Sequence, residues 1–425
     1  MKERYYKRIC DQLLEDKLEA KGAVLIKGAK WCGKTTTAAN KAKSVIYMED
    51  PERKQQYLEL ADVNPSRLLQ GEVPHLIDEW QLAPKLWDAV RFEVDRRNEF
   101  GQFILTGSAV PPETSEISHT GTGRITSLLM RPMSLYESED SNGSVSLASL
   151  FKDDNDIDGS NDLTLDDITF LICRGGWPKA IDKNRKVALA QAFDYYDSLV
   201  ESDISRVDNI ERDPQRAMRI IRAYSRNLAS EASVLSLLRD VRTDKNDTFS
   251  ENTLRSYLLA LRKLFVIEDT PAWNPNLRSK TAIRSSDTRY LVDPSIAAAA
   301  LGIGPEDLVN DLNTAGLFFE NMCVRDLRVY SESLNGNVYH YRDKSGLECD
   351  SVVHLRNGSY GLVEIKLGGD RLIEEGASNL IKLREQIDYK KMKKPSFMMV
   401  LCGVAPFAYK RKDGVLVVPI GCLKN

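Results

Sequence analysis

Several features that define common protein classes are missing from this chain of 425 residues. No apolar run approaches the roughly 20 residues that a membrane-spanning helix needs, and the first residues are charged rather than signal-like. The cysteines form no C-x-x-C pair and have no histidine at zinc spacing; they are Cys10, Cys32, Cys173, Cys323, Cys349, Cys402 and Cys422. We therefore expect a cytoplasmic protein without structural disulfides or a membrane partner.

The charge of the chain is small in total but unevenly distributed. The net charge is −3, and a content of 42% apolar and 28% charged residues is ordinary for a globular protein. Ten acidic residues and one basic residue lie between positions 136 and 170, whereas sixteen basic and eleven acidic residues lie between 206 and 290. The chain is too long to fold around a single hydrophobic core, so we expect about two to four domains. The second stretch permits nucleic-acid binding.

The strongest motif is a Walker A loop, G-x-x-x-x-G-K-T, at residues 28–35. An apolar run precedes it and a helix-compatible stretch follows, which is the order that phosphate binding requires. Backbone N–H groups and the helix dipole would hold the phosphates, Lys34 would reach the β and γ oxygens, and Thr35 would ligate Mg²⁺. The predicted nucleotide-binding residues are Gly28, Ala29, Lys30, Trp31, Cys32, Gly33, Lys34, Thr35 and Thr36.

Two later apolar runs end in residues that suit the same site. The first ends in Asp78 and Glu79, the layout of a Walker B element. Asp78 would hold the magnesium shell through water, and Glu79 would orient or deprotonate the attacking water. The second run ends near Thr106 and Ser108, either of which could sense the γ-phosphate. Plain strand capping is the alternative for these two hydroxyls.

Two further residues have both a functional and a structural interpretation. Arg124 opens the next apolar segment and could act as an arginine finger, worth about 10³–10⁵ in rate, in its own chain or in a neighbouring subunit. A homo-oligomer is therefore one expectation, and a surface salt bridge is the alternative. Cys32 could make the loop redox-sensitive because a helix amino terminus stabilises a thiolate. An inert buried thiol is the alternative for Cys32.

The middle of the chain has helical periodicity from residue 191 to about residue 265. A short helix at 232–240 is followed by a longer one that Ser250 would cap. The apolar stripe of the longer helix is formed by Leu254, Tyr257, Leu258, Leu261 and Leu264. A short strand and a hairpin up to residue 292 complete the pattern of a winged helix-turn-helix. The pattern does not decide whether this module contacts DNA or serves only for packing and protein contact.

The carboxy-terminal part combines acidic residues with a lysine on a predicted hairpin around the turn at 357–358. Asp350 lies on one strand, and Glu364 and Lys366 share one face of the other. The two carboxylates would hold Mg²⁺ for phosphodiester cleavage, Lys366 would orient the nucleophile, and Glu320 could add a ligand from a helix. These residues favour a nuclease-like fold, but a fold can retain its site residues without the activity.

The Walker A loop occurs together with motifs at 77–81, 104–108, 123–124, 175–178 and 341–366. This combination resembles a widespread prokaryotic group of AAA+-type ATPases that carry a carboxy-terminal domain of uncharacterised function. The resemblance implies an α/β fold with a P-loop domain, a winged-helix middle and a carboxy-terminal domain similar to restriction endonucleases. Together with the acidic stretch, which is longer than is usual in the family, we expect four consecutive segments. These are an AAA+-like P-loop domain at 1–135, an acidic linker or insert at 136–170, a helical and winged-helix domain at 171–305 and a restriction-endonuclease-like domain at 306–425.

From the motifs and the resemblance we expect an ATPase that uses ATP and Mg²⁺ and whose nucleotide state controls the winged-helix and nuclease-like half. The alternative is a nucleotide-gated regulator or adaptor that binds DNA or a protein partner and cuts no nucleic acid. A third interpretation is that the helical middle senses another ligand and signals through ATP. No residue pattern selects such a ligand.

Overall fold

The computed structural model describes residues 4–107, 121–152, 156–208, 210–242, 249–274 and 286–425. By spatial proximity the chain divides into two compact units. Unit 1 comprises Met1–Pro132, Glu201–Asp213 and Leu259–Val266, and unit 2 comprises Met133–Val200, Pro214–Leu258 and Ile267–Asn425. Each unit is therefore built from stretches that are separated in the sequence, whereas the predicted layout has consecutive segments.

The first part of the chain alternates strands and helices, as its apolar runs predict. The strands are β1 (Ala23–Lys27), β2 (Ser44–Tyr47), β3 (His75–Asp78), β4 (Phe103–Gly107) and β5 (Ile125–Leu129). The helices are α1 (Cys10–Ala20), α2 (Lys34–Lys41), α3 (Lys54–Val63) and α4 (Lys85–Arg97). The strands pair in parallel in the order β2-β3-β4-β1-β5. The carboxyl ends of β1, β3 and β4 therefore lie at one edge of the sheet.

Apolar side chains cover both faces of this parallel sheet. On one face, Ile77, Phe103 and Leu105 belong to a buried cluster with residues of α4, including Val90. On the other face, alternate strand residues cluster with residues of α1 and α2. Sheets buried on both sides require strands that are apolar at nearly every position. The runs before residues 28 and 78 have this composition, and the packed sheet fixes the strand ends that carry the site.

The middle of the chain is mostly helical and contains two short strands. Its elements are β6 (Val145–Ser146), α5 (Leu147–Leu150), β7 (Gly159–Ser160), α6 (Leu165–Arg174), α7 (Arg185–Ser198), α8 (Ile204–Arg206), α9 (Pro214–Arg226), α10 (Val234–Val241), α11 (Glu251–Lys263) and α12 (Pro294–Leu301). A π-helical turn, Leu199–Asp203, connects α7 to α8.

The described part of the acidic stretch at 136–170 contains secondary structure, which fits the predicted insert better than the predicted linker. It contains β6, α5, β7 and the start of α6, and Leu147, Leu150 and Ile168 are fully buried. Two of its acids, Asp166 and Asp167, lie in the first turn of α6, where negative charge is favourable.

The elements from α9 to residue 291 follow the order of a winged helix-turn-helix. The Ser250 hydroxyl accepts a hydrogen bond from the Thr253 N–H at 3.1 Å, as an N-cap does. The apolar stripe predicted for α11 is buried. Two antiparallel bridges, Ile267 with Leu291 and Thr270 with Thr288, form the base of a hairpin. Residues 275–285 of the predicted hairpin lie outside the described residues, and the winged-helix assignment stays a prediction.

The carboxy-terminal part of unit 2 is a mixed sheet with helices. Its helices are α13 (Pro305–Asn310), α14 (Leu312–Ser333) and α15 (Asp370–Gln386). Its strands are β8 (Gly336–Arg342), β9 (Glu348–Leu355), β10 (Tyr360–Gly368), β11 (Phe397–Val404), β12 (Phe407–Lys410), β13 (Leu416–Pro419) and β14 (Leu423–Lys424). The strand order is β7-β12-β13-β11-β10-β9-β8, while β14 pairs with β6. The predicted α/β class is confirmed. Within the described ranges no helix is long and apolar enough to cross a membrane.

A fully buried charge network connects distant segments of unit 2. The Arg325 guanidinium lies 2.7 Å from Asp293 Oδ2 and 2.7 Å from Asp326 Oδ1. Asp293 also accepts from the Gly176 N–H at 2.9 Å, and Asp326 accepts from the Leu135 N–H at 2.9 Å. Burial raises the pKa of Asp326 to about 6, although the charge of Arg325 opposes this. The network fixes the glycine-rich turn at 175–178 against α12 and α14.

Replacing Asp293 with asparagine should destabilise the protein strongly, because the buried Arg325 would then retain only Asp326 as a counter-ion. Removing one partner of a buried ion pair costs about 3–5 kcal/mol, and chemical denaturation would measure the loss. The matched control is Asp166→Asn, which breaks the exposed pair of Asp166 with Arg185 and should have a much smaller effect. Equally small losses for both variants would contradict this account of the network.

Candidate nucleotide site and carboxy-terminal carboxylate site

The Walker A residues form a tight loop between β1 and α2. Gly28 and Gly33 have φ angles of 153° and 100°, which glycine adopts easily. A Cβ atom at Gly28 would lie 2.0 Å from the Met130 carbonyl oxygen, so the position has no room for a side chain. Gly33 precedes the first residue of α2 and provides no side-chain cap. The first N–H groups of α2 thus remain available for an anion.

Lys34 and Thr35 begin α2 and bond to different parts of the site, and Thr36 follows them in the helix. Lys34 Nζ donates to the carbonyl oxygens of Gly28 at 3.0 Å and Ala29 at 2.7 Å. Phosphate oxygens are charged and accept stronger hydrogen bonds than carbonyls, so a triphosphate can compete for this ammonium. Thr35 Oγ1 donates to Asp78 Oδ1 at 2.7 Å.

Asp78 brings the predicted Walker A and Walker B residues together with Thr106. The same oxygen, Asp78 Oδ1, accepts a second hydrogen bond from Thr106 Oγ1 at 2.5 Å. The Thr35 hydroxyl and the Asp78 carboxylate are oxygen donors of the kind that Mg²⁺ prefers, so these residues fit the predicted ion. Ser108, the other candidate sensor, lies outside the described residues.

Glu79 follows β3 in a left-handed conformation, with φ 56° and ψ 45°. Such angles are uncommon for a residue with a side chain and occur often at functional sites. The Gln81 amide donates to Glu79 Oε2. Burial raises the pKa of the Glu79 carboxyl, while the Gln81 hydrogen bond and the charge of Lys34 oppose this rise. A raised pKa suits a general base that works near neutral pH.

Arg8 supports the loop and was not anticipated from the sequence. Its buried guanidinium donates to the carbonyl oxygens of Cys32 and Arg131, each at 2.8 Å. Cys32 itself is fully buried, and its thiol points toward the Met130 carbonyl oxygen at 3.4 Å. A reactive thiol needs solvent access, so the structure favours the inert buried thiol over the redox-sensitive one.

The remaining loop side chains have different surroundings. Ala29 is fully buried and Trp31 is 43% exposed. Lys30 Nζ lies 2.6 Å from Asp203 Oδ1, in the π-helical turn far along the sequence. Asp203 is therefore a second neighbour of the loop that sequence reasoning missed. No local motif marks it, because its partner is 173 positions away.

Arg124 does not lie at the phosphate-binding edge of its own sheet. It precedes β5, and the register pairs Ala23 with Ile125 at the amino ends and Lys27 with Leu129 at the carboxyl ends. At a usual rise per residue these ends are roughly 13 Å apart. The Arg124 guanidinium donates to Asp95 Oδ1 at 2.7 Å, and both side chains are exposed. The expectation that Arg124 acts as a finger in its own chain is therefore wrong in this structure. Arg124 instead forms the surface salt bridge that was the alternative.

The second candidate site lies on β9 and β10 of unit 2, and three predicted residues meet there. Lys366 Nζ lies 2.8 Å from Glu364 Oε2 and 3.4 Å from Asp350 Oδ2. The backbone N–H of Ile365 donates to Asp350 Oδ2 at 2.7 Å and orients that carboxylate. The ammonium of Lys366 thus bridges the two predicted metal ligands.

Glu320 lies on α14 and interacts electrostatically with Asp350, Glu364 and Lys366. Burial raises its pKa well above the usual range and the Asp350 charge adds to the effect, whereas Lys366 opposes it. The hydroxyl of the buried Tyr290 donates to Glu320 Oε1 at 2.5 Å. Tyr290 was not anticipated, because a lone tyrosine after a predicted strand is typical of a core residue.

Glu364 has a buried oxygen without a well-formed hydrogen bond in the described part of the chain. The residue is 1% exposed, its Oε1 has no partner at hydrogen-bond geometry there, and the nearby Asn379 side chain lowers the pKa of the carboxyl only in part. Burial raises the pKa of Glu364 and the Asp350 charge adds to this, while Lys366 opposes it. An unsatisfied buried oxygen is unfavourable, so a cation or a proton at Oε1 would stabilise the site.

Asp350 and Glu364 face a cavity of 680 Å³ that is also lined by Asn379 and Lys382. Among the described ranges, no three acidic, histidine or cysteine side chains are arranged as metal ligands. Glu320, Asp350 and Glu364 are thus not assembled as a ligand set in this conformation. Asp350 and the unsatisfied oxygen of Glu364 nevertheless have the chemistry of a Mg²⁺ site completed by water.

The parallel sheet, the glycine loop at a helix amino terminus and the shared oxygen of Asp78 define a P-loop nucleoside-triphosphatase domain. Residues 20–139 match the family model of an AAA domain. Residues 165–307 and 315–423 match two domains of unknown function, DUF8612 and DUF4143. The predicted resemblance is confirmed: an AAA-type ATPase domain precedes a carboxy-terminal domain of uncharacterised function. No curated protein matches the chain.

Several solved structures are similar to the chain at low sequence identity. A Walker-type ATPase of Pyrococcus abyssi is 16% identical, with 70% of this chain and 97% of that chain covered and a TM-score of 0.43. A DNA replication initiation factor is 14% identical, with coverages of 60% and 85% and a TM-score of 0.25. A signal-transduction ATPase with a tetratricopeptide-repeat sensor from Pyrococcus horikoshii is 14% identical, with coverages of 78% and 49% and a TM-score of 0.22. These likenesses are too weak to indicate a substrate.

Replacing Gln81 with methionine should move the acid limb of ATP hydrolysis to higher pH. The Gln81 hydrogen bond lowers the pKa of Glu79, so its loss raises that pKa further. A general base works only when deprotonated; the variant should therefore lose activity first on acidification and approach the parent rate at high pH. The pH profile of kcat/KM measures this, with the exposed Gln55→Met as control. An unchanged acid limb would contradict the assignment of Glu79.

Proposed function

We propose that the AAA domain binds ATP with Mg²⁺ and hydrolyses it slowly, and that the nucleotide state controls the carboxy-terminal half. The observation that carries the first part is the junction at Asp78, whose one oxygen accepts from both Thr35 and Thr106. The junction unites residues from α2, β3 and β4 at the strand edge where phosphates bind in P-loop proteins. The match of residues 20–139 to an AAA domain supports the same function.

Each residue of the proposed site has a separate role. Lys34 would leave the carbonyls of Gly28 and Ala29 and bind phosphate oxygens, while Thr35 and Asp78 would hold the magnesium shell. A bound Mg²⁺ would neutralise charge that develops on the phosphates. Glu79 would accept the proton of the attacking water, and Gln81 would keep the Glu79 carboxylate ionised and oriented. Arg124 could act only on the site of a neighbouring copy, so any finger role requires a homo-oligomer.

Lys34→Ala should abolish ATP binding, because the loop would lose its phosphate ligand. Glu79→Gln should retain binding but lower kcat by about 10²–10⁴, the usual contribution of a general base. Calorimetry with Mg²⁺–ATP and a phosphate-release assay separate the two effects. Lys43→Ala, which removes an exposed lysine just after α2, is the charge-matched control. Unimpaired binding by Lys34→Ala, or full activity of Glu79→Gln, would contradict the proposal.

For the carboxy-terminal domain we propose cleavage of nucleic acid with a magnesium ion held by Asp350 and Glu364. The support is the convergence of Asp350, Glu364 and Lys366 on paired strands, together with the unsatisfied oxygen Glu364 Oε1. Lys366 would orient the attacking water once its carboxylate partners bind the ion. Glu320 would be available as a further ligand of the ion. The cation would activate that water and stabilise the transition-state charge.

The alternative is a nucleotide-gated regulator that binds DNA without cutting it. One observation favours DNA contact: arginines recur every three or four residues along α9, at Arg216, Arg219, Arg222 and Arg226, and three of them are exposed. Residues at such intervals lie on one side of a helix, and a row of positive charge suits the phosphate backbone of nucleic acid. Binding of this kind needs no cleavage site.

Incubation with single- and double-stranded DNA and Mg²⁺ or Mn²⁺ distinguishes these two outputs. A nuclease should cut in the parent chain and lose at least about 10²-fold in rate in Glu364→Gln, because one ligand of the cation is lost. The control is Glu375→Gln, an exposed carboxylate that lines the same cavity. Binding without cleavage by the parent chain would favour the regulator and contradict the nuclease.

A further inference from the structure

The ion pair between Lys30 and Asp203 connects the nucleotide loop to a segment that lies far along the sequence. Lys30 is the third residue of the Walker A motif, and its ammonium lies 2.6 Å from Asp203 Oδ1. Asp203 ends the π-helical turn Leu199–Asp203, a geometry that is rare and often occurs at functional sites. Both residues belong to unit 1.

The two partners differ in their access to water. The Lys30 side chain is 39% exposed, whereas that of Asp203 is 6% exposed. Among the described residues, the counter-ion of Asp203 is Lys30. A carboxylate this deeply buried is unstable without a counter-ion, but a half-exposed ammonium can exchange its partner at lower cost. Lys30 is thus the mobile member of the pair.

Both lysines of the loop are bound to oxygens of the protein itself. Lys34 donates to two loop carbonyls, and Lys30 pairs with Asp203. A triphosphate bound at the loop would offer charged oxygens to both ammonium groups. If Lys30 turns to the phosphates, Asp203 loses its counter-ion, so the π-helical turn must move or admit water. Nucleotide binding and the position of this turn are therefore linked.

We propose that Asp203 is a positioning residue of the nucleotide site, which competes with the terminal phosphate of ATP for Lys30. The proposal rests on the proposed ATP-binding function. Residues Glu201–Asp213 belong to the unit of the loop, but in the sequence they are flanked on both sides by residues of unit 2. A move of Lys30 from Asp203 to the phosphates would therefore change the surroundings of a segment that connects α7 to α9 in the sequence.

Asp203→Asn should tighten ATP binding by roughly tenfold, within the usual range of coupling between sites. The variant removes the competitor for Lys30 and relieves the repulsion between a carboxylate and the phosphates. The gain for ADP should be smaller, because ADP carries less negative charge than ATP. Lys30→Gln should weaken ATP binding and reduce the preference for ATP over ADP. The double variant should resemble Lys30→Gln, since Asp203 acts through Lys30.

Calorimetric titration of the full chain with Mg²⁺–ATP and Mg²⁺–ADP tests this, in a Glu79→Gln background that prevents hydrolysis. The matched control is Glu201→Gln, which removes the same charge from an exposed residue of the same turn. Lys30→Arg should keep the pairing and behave like the parent. If Asp203→Asn does not fold, the ATP-to-ADP affinity ratio of Lys30→Gln decides.

Three results would contradict or separate the claims. If Asp203→Asn binds both nucleotides as the parent does, or binds both equally more weakly, Asp203 has only a structural role and the proposal is overturned. An unchanged ATP-to-ADP ratio in Lys30→Gln would overturn it as well. Failure of the Glu79→Gln background itself to bind either nucleotide would instead refute the proposed ATP-binding function, and the role of Asp203 with it.

Discussion

The nucleotide site depends on one carboxylate oxygen, Oδ1 of Asp78. Because this oxygen accepts hydrogen bonds from Thr35 and Thr106, it fixes the start of α2 and the end of β4 against the end of β3. The parallel pairing of β1, β3 and β4 brings these ends to one edge, and burial on both faces of the sheet holds them there. Without the Asp78 carboxylate, the loop would lose its connection to the end of β3, which Glu79, the proposed base, follows directly.

The two candidate sites share one electrostatic feature. At each, a lysine is bound to oxygens of the protein itself. Lys34 donates to two loop carbonyls, where a phosphate would compete for its ammonium, and Lys366 bridges Asp350 and Glu364, where a cation would replace it. Such internal pairing keeps a charged site stable without its ligand, since unpaired buried charges are costly. Both proposed activities therefore begin with the exchange of a lysine between protein and ligand oxygens.

The sequence predicted those parts of the structure that local patterns encode. The Walker A loop, the Asp78 strand end and the hairpin of Asp350 and Glu364 each follow from residue spacing over a few positions. The contacts of Arg8, Asp203 and Tyr290 could not be predicted, because each joins residues far apart in the chain and no spacing rule connects them.

One expectation failed, and one alternative became the better one, for physical reasons that the sequence itself contains. Arg124 precedes a strand that runs parallel to β1. It therefore lies at the amino ends of the strands, opposite the edge where phosphates would bind. The described part of the acidic stretch fits an insert better than a linker, because apolar residues such as Leu147 and Ile168 are buried between its charges. Strand direction and apolar spacing were more informative here than motif proximity or net charge.

The most direct test of the account is an experimental structure of the Glu79→Gln chain with Mg²⁺ and ATP. The account predicts a nucleotide at the Walker A loop, with Lys34 turned from the carbonyls of Gly28 and Ala29 to the phosphate oxygens. Thr35 and Asp78 should then surround the magnesium ion. A loop that stays empty at saturating ATP, or a Lys34 that remains on its two carbonyls beside a bound nucleotide, would contradict it.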